Sequence, residues 1–180
     1  MFDRNALREL LQAHIPIDAE EAEHRQRMLA LLDSRENCSS RNHFAPGHFT
    51  ASAFVLSHDR SQLLLIFHSK LTRWLQPGGH VDESDLSIEE TARREVSEEV
   101  GLSDLVLARA GVFDLDIHVI PARKTEPAHE HFDVRFAFVA DSMTFHAGDD
   151  ALDARWFPLA AVTEEASDRS VSRAVEKLRS

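Results

Sequence analysis

Three carboxylates spaced to meet on one helical face are the residues of this chain best placed to do chemistry. They are Glu95, Glu98 and Glu99, in the run Arg94-Glu95-Val96-Ser97-Glu98-Glu99-Val100-Gly101-Leu102. At about 100° per residue they fall within roughly one 100° sector of a helix. Ile88, Ala92, Val96 and Val100 trace an adjoining apolar stripe, so the carboxylates border the edge that docks on a sheet. Like charges so close raise at least one pKa and weaken the helix, and a divalent cation removes that penalty. Oxygen-only donors favour a hard ion, Mg2+ or Mn2+. For a bare glutamate triplet, a solvated acidic face is the better explanation.

This triplet is not bare. It follows Gly78-Gly79-His80-Val81-Asp82-Glu83-Ser84-Asp85, where paired glycines let the backbone turn tightly or approach a ligand. Taken together, the segment resembles the signature box of the Nudix hydrolases, G-x5-E-x7-R-E-U-x-E-E-x-G-U with U aliphatic. Gly79, Arg94, Glu95, Val96, Glu98, Glu99, Gly101 and Leu102 match it in order. Two departures stand out: the first acidic position is Asp85, with Glu83 as an alternative occupant, and one extra residue precedes Arg94. An extra residue in the loop before Ser87 leaves the helix and its carboxylates untouched. The resemblance covers about Pro46 to Ala166, including Trp74-Leu75-Gln76-Pro77 before the glycines and the late Arg155-Trp156-Phe157-Pro158.

The resemblance implies a hydrolase that cuts a diphosphate bond in a small phosphorylated substrate, nucleoside-linked or similar, by substitution of water at phosphorus. It implies Glu95, Glu98 and Glu99 as ligands of Mg2+ or Mn2+, with Arg94 holding Glu95 by a charge-assisted hydrogen bond. The alternative for Arg94 is a weak i,i+4 pair with Glu98. Glu98 is the first choice of general base; a carboxylate on a distant loop is the other, and Glu126, Glu130, Asp149 and Asp150 lie in loop-like segments. Gly79 and His80 are candidates for substrate contact, His80 either binding substrate or capping its loop. Lys70 and Arg73 precede the glycine pair and could steer phosphate.

A second polar set alternates with Phe132, Val134 and Phe136: His129, His131, Asp133 and Arg135. A strand period of two throws these four to one side. Arg135 or His131 could meet a phosphate there; the bland alternative is one wet face of an antiparallel sheet. A zinc pair of His129 and His131 lacks an evident third ligand. Trp74 reads as core-edge rather than as a stacking platform, and Cys38 has no evident activating partner.

Around these residues the pattern predicts helices over about Asp3–Ser34, divided by Pro16 with Asp18 as a cap, then a polar connector to Gly47. Strand runs follow at His48–Ser57 and Gln62–His68 around a His58–Ser61 turn, again at Leu105–Ile120 and His131–Ala140, and at Arg155–Pro158. The helix at Ser87–Val100 stops at Gly101, and helical pieces at Leu159–Ala166 and Ser170–Leu178 close the chain. The fold class is α/β, an α+β sandwich: a Nudix-like mixed β-sheet packed between helices, with residues 1–45 as an N-terminal helical extension and 46–180 as the hydrolase domain.

Composition sets the outer bounds. With 180 residues, 43% apolar and 28% charged, the chain suits one buried core. A net charge of −11 disfavours long nucleic acid but not small phosphorylated ligands. No run is apolar for long enough to span a bilayer, and a polar N-terminus with one cysteine points to the cytoplasm. The N-terminal helices could serve a homodimer. Two rival functions remain open: a non-catalytic ligand-binding or regulatory module on the same fold, which tends to lose the box carboxylates, and an isopentenyl-diphosphate isomerase, whose required cysteine would follow the hairpin strands whereas Cys38 precedes them.

Overall fold

The computed structural model describes residues 2–34, 36–68, 71–123, 125–145 and 153–179. The N-terminal segment forms two helices, α1 (Arg4–Ala13) and α2 (Ala19–Asp33). Asp3 caps the first by accepting from the Asn5 and Ala6 amides, and Asp18 caps the second by accepting from Glu21 N at 2.8 Å, each satisfying amides that a helix start leaves without an intrahelical acceptor. Leu7 and Leu11 of α1 and Met28, Leu31 and Leu32 of α2 are buried, an apolar stripe at helical spacing.

The strands and the other helices are β1 (Gly47–Leu56), β2 (Gln62–His68), β3 (Arg73–Leu75), β4 (Gly78–His80), α3 (Ile88–Val100), β5 (Leu105–Leu107), β6 (Asp114–Ile120), β7 (His129–Ala140), β8 (Ala154–Pro158) and α4 (Arg169–Arg179). The class is therefore α+β. By contact density the chain divides into two compact units.

The first unit holds the described residues up to 52, with 78–92 and 110–136. In it, β1 pairs antiparallel with β4, Thr50 opposite His80, Ala51 opposite Gly79 and Ser52 opposite Gly78. The last of these pairs needs a glycine: a Cβ on Gly78 would stand 2.4 Å from the Ser52 Cβ and 2.7 Å from the Ala51 carbonyl oxygen. Strand β6 pairs antiparallel with β7 from Asp114↔Arg135 to Ile120↔His129. The N-terminal helices join this unit through a buried carboxylate. Glu21, with no exposed surface, accepts from the Leu115 amide at 3.2 Å and the Ile17 amide at 2.7 Å, and lies 2.7 Å from His14 Nε2.

The second unit holds 53–77, 93–109 and the described residues from 137 onward. There β1 and β2 form the expected hairpin, with Val55 opposite Leu64. Its turn is stabilised by Asp59, which accepts from Ser57 Oγ and Ser61 N. Strand β2 also pairs antiparallel with β3 and with β8, and β5 pairs with the end of β7. Ser167 Oγ donates to the Trp74 carbonyl, and Phe67 and Phe157 pack edge-on to the Trp74 ring at 5.3 and 4.9 Å, the core-edge role expected of that tryptophan.

Local differences from the sequence pattern have local causes. The strand signal at 105–120 resolves into β5 and β6, parted by a bend in which Gly111 adopts φ +75°, a conformation glycine tolerates. The expected helix at 159–166 is a single 3-10 turn over Leu159–Ala161, ended by extended backbone at Val162; β-branched Val162 and Thr163 favour that exit. Helix α3 ends as expected at Gly101, with φ +69°.

Replacing Glu21 by leucine removes the partner of the buried His14 ring nitrogen and the acceptor of the Leu115 and Ile17 amides. The expected loss is about 3 kcal/mol, read as a fall in Tm of roughly 6–12 °C; an unchanged Tm contradicts the linking role of this carboxylate.

Candidate functional site

The acidic helix α3 starts on a reciprocal cap. Ser87 Oγ accepts from the Glu90 amide at 3.2 Å while the Glu90 carboxylate accepts from the Leu86 amide at 2.8 Å, the Ser-x-x-Glu arrangement that fixes a helix start. Just before it, buried Asp85 accepts from the Asp82 amide and from Thr91 Oγ1, both at 2.9 Å, so this carboxylate ties the glycine-following loop to the helix. Ile88, Ala92, Val96 and Val100 are buried, as the stripe predicts. Farther along, Arg93 donates to the Leu105 carbonyl oxygen and its guanidinium sits 4.5 Å from the Phe138 ring centre.

Arg94 reaches two of the three carboxylates. One guanidinium nitrogen lies 2.8 Å from Glu95 Oε1 and 3.0 Å from Glu98 Oε2, so the orienting contact and the i,i+4 pair coexist. The Glu95 side chain is 14% exposed and that of Glu98 58%; Glu99 is half-buried. An arginine held against both carboxylates offsets part of their mutual repulsion. The donor set is all-oxygen, which fits a hard dication and fits a soft one poorly.

The second polar set belongs to the first unit. Here Asp133 and Arg135 do not form a wet sheet face: both are buried, Arg135 at 2% exposure. Its guanidinium bonds Asp133 at 2.8 Å, Asp116 at 3.0 Å and Asp114 at 3.2 Å. Asp133 also accepts from Thr50 Oγ1 at 3.2 Å and Ser52 Oγ at 2.8 Å. Burial opposes the charge on Arg135, but the three aspartates raise its pKa above the ordinary arginine range. Burial would likewise lift the Asp116 carboxyl; Arg135, with His118 beside it, holds it well below the usual carboxylate range instead.

Next to this network stand the histidines. The ligand-capable nitrogens of His48, His80 and His131 all lie within 4.8 Å of one another. His129 stacks on His48 at 5.1 Å, and His118 is 5.4 Å from His131, ring centre to ring centre. Burial pushes His131 down to about 2, with the neighbouring His118, His80, His48 and His129 adding to the shift, and burial lowers His48 as well. Both rings are therefore neutral at pH 7.

Of the candidate residues, Gly79 and His80 lie on β4 and His131 and Arg135 on β7, in the first unit, while Arg94, Glu95, Glu98 and Glu99 lie on α3, in the second. Lys70, Asp149 and Asp150 lie outside the described residues. Glu130 pairs with Arg27 at 2.5 Å, Arg73 donates to the Ser167 carbonyl oxygen, and Glu126 is half-buried in its turn. Sequence reasoning missed His48: as the second residue of an apolar strand it carries no local signal, and it meets His131 only through the neighbouring placement of β1 and β7. Cys38 is buried, and burial pushes its thiol up, in keeping with an inert role.

A family model for the NUDIX domain matches residues 47–176. The chain belongs to the NUDIX domain family. Among curated proteins, a "Putative 8-oxo-dGTP diphosphatase" of Bacillus subtilis (strain 168) is 39% identical over 66 residues, 36% of this chain and 44% of the relative, so the match spans less than half of that protein's length. Among solved structures, a NUDIX-family hydrolase from Clostridium perfringens superposes with a TM-score of 0.56 at 22% identity, covering 78% of this chain and 97% of the other. The NUDIX domain of Shewanella oneidensis NrtR, complexed with ADP ribose, gives 0.55 at 20% identity, covering 83% and 95%. At these identities the structures establish that the Nudix fold is shared. No helix among the described residues is long and apolar enough to cross a membrane.

The buried network makes a pH-resolved prediction. Because the Asp116 pKa is depressed on folding, its pairing stabilises the protein above the unfolded carboxylate pKa of about 4 and the contribution is lost as pH falls below it. Arg135→Met should cost about 3–5 kcal/mol near pH 7, and the deficit should shrink as pH falls toward and below about 4 and the stranded Asp116 carboxylate protonates. Urea unfolding across pH measures it; a deficit independent of pH contradicts the pairing.

Proposed function

We propose that this Nudix protein is a hydrolase that cleaves a diphosphate linkage in a small nucleoside-linked or similar substrate, and that residues 46–180 form the hydrolase domain with 1–45 as a helical extension. The observation that carries the reading is α3, where Arg94 contacts Glu95 and Glu98 and the box glutamates Glu95, Glu98 and Glu99 are all present. The family match from residue 47 and the name of the Bacillus subtilis relative support the activity. The ADP ribose bound to the Shewanella NUDIX domain supports a nucleotide-type ligand.

In this reading Glu95, Glu98 and Glu99 hold Mg2+ or Mn2+. Bound there, the cation supplies neutralisation of the diphosphate charge and acidification of water. Arg94 fixes Glu95 by a charge-assisted hydrogen bond. Glu98, the most exposed of the two carboxylates Arg94 touches, accepts the proton of the attacking water, which adds at phosphorus as the bridging oxygen departs. Gly79 and His80 on β4 and His131 on β7 are the candidates for substrate contact, and Lys70, the other candidate, lies outside the described residues. Arg135 serves substrate binding indirectly, since its guanidinium is committed to three aspartates. The isomerase reading has no support in Cys38, a buried thiol with a raised pKa.

A panel of nucleoside triphosphates, nucleotide sugars, ADP-ribose and dinucleotides, assayed with Mg2+ and Mn2+, tests the proposal. Turnover of at least one is expected, abolished by chelator. Glu98→Gln should lower kcat by about 10²–10⁴-fold, the range for losing a general base. Tight binding with no turnover across the panel would instead make the protein a ligand-binding module, and full activity of Glu98→Gln would remove that residue as the base.

A further inference from the structure

The acidic helix leaves a second set of metal-competent side chains unexplained. His48, His80 and His131 come from three strands, β1, β4 and β7, and their ligand nitrogens gather within 4.8 Å of one another. Ring centres are 5.1 Å apart for His48–His80, 4.9 Å for His48–His131 and 5.1 Å for His80–His131. Three near-equal separations describe a triangle, whereas a stack of packed rings would give one long side.

His48 is the most informative member. It is 1% exposed, and its Nδ1 lies 3.0 Å from the His43 carbonyl oxygen. A carbonyl can only accept, so Nδ1 carries the proton and Nε2 carries the lone pair. That Nε2 is buried and has no hydrogen-bond partner among the described residues. A buried acceptor without a partner is unfavourable, and a bound cation removes that penalty. A ring whose far nitrogen is tied to a backbone carbonyl is also the usual arrangement behind a metal-bound imidazole.

We propose that His48, His80 and His131 form a three-imidazole site for a borderline transition-metal dication of the Zn2+ type, chemically distinct from the carboxylate helix. Neutral imidazoles suit Zn2+, Cu2+, Ni2+ or Co2+ and serve Mg2+ poorly, so the two donor sets select different ions. Tetrahedral Zn2+ with nitrogen ligands at about 2.0–2.1 Å needs nitrogens roughly 3.3 Å apart. The 4.8 Å limit on the present separations leaves a closure that small rotations of the half-buried His80 and His131 rings supply. Three protein ligands leave a fourth position open. Asp116, 3.1 Å from His118 Nδ1, orients one of the two imidazoles that flank His131 outside the triad. With one ligand on each of three strands, the ion ties β1, β4 and β7 together and stabilises the fold by mass action.

The chelator-stripped full chain is titrated with Zn2+ in equilibrium dialysis under millimolar Mg2+, in parallel with Co2+ followed by its visible ligand-field bands. Wild type should retain one Zn2+ equivalent, with a rise in Tm, and give intense tetrahedral-type Co2+ bands. His131→Gln and, separately, the half-buried His80→Gln should each weaken Zn2+ by more than ~100-fold, beyond the 10–100-fold typical of losing a supporting hydrogen bond, and erase the bands. A variant carrying Glu95→Gln, Glu98→Gln and Glu99→Gln should bind Zn2+ as wild type does, which separates this site from the carboxylate helix. Near-wild-type Tm values of the stripped histidine variants establish that they fold. No Zn2+ retained against Mg2+, wild-type binding by folded histidine variants, or binding lost only with the glutamates would each overturn the proposal.

Discussion

A guanidinium sealed among three carboxylates constrains the strands that carry the histidines. Arg135 cannot shed its charge, and Asp114, Asp116 and Asp133 surround it at 2.8–3.2 Å. A one-residue slip of β6 along β7 would turn these side chains to the other face and leave buried charges unpaired. Asp133 extends the constraint to β1 through Thr50 and Ser52. Ser52 in turn lies opposite Gly78, where the backbones approach too closely for any side chain. Charge pairing and steric exclusion thus fix the same registers, and His48, His80 and His131 converge because those registers hold.

The helix α3 answers a different electrostatic problem. Its glutamates border solvent, and Arg94 bridges Glu95 and Glu98. Carboxylate oxygens suit a hard ion that retains water and meets phosphate. The buried His48 and the half-buried His80 and His131 offer imidazole nitrogens, which suit a borderline ion. The contrast lies in donor chemistry, oxygen donors along a helix and nitrogen donors among strands, and each set matches a different class of ion.

The sequence made the acidic helix legible because its geometry is local. Glu95, Glu98 and Glu99 face one way by helical period alone, Gly101 ends the helix, and the apolar stripe Ile88-Ala92-Val96-Val100 names the buried side. Both N-terminal helices were legible for the same reason, with Asp18 as a cap, while the Asp3 cap emerged only in the structure. The histidine triad was not. Period-two reasoning put His129, His131, Asp133 and Arg135 on one side of a strand, but whether that side was wet or sealed depended on Asp114 and Asp116 from β6. His48 and His80 arrive through pairings between strands distant in sequence, which no local pattern encodes. The short strands β3 and β4 flank Pro77 and read in sequence only as a turn.

Hydrolysis in water enriched in oxygen-18 tests most directly whether the acidic helix directs water onto phosphorus. In a single turnover of an ADP-ribose-type diphosphate with Mg2+, the label should enter one phosphate product only, and the Glu95→Gln, Glu98→Gln, Glu99→Gln variant should incorporate none. Label on carbon, or undiminished incorporation by that variant, would contradict the account.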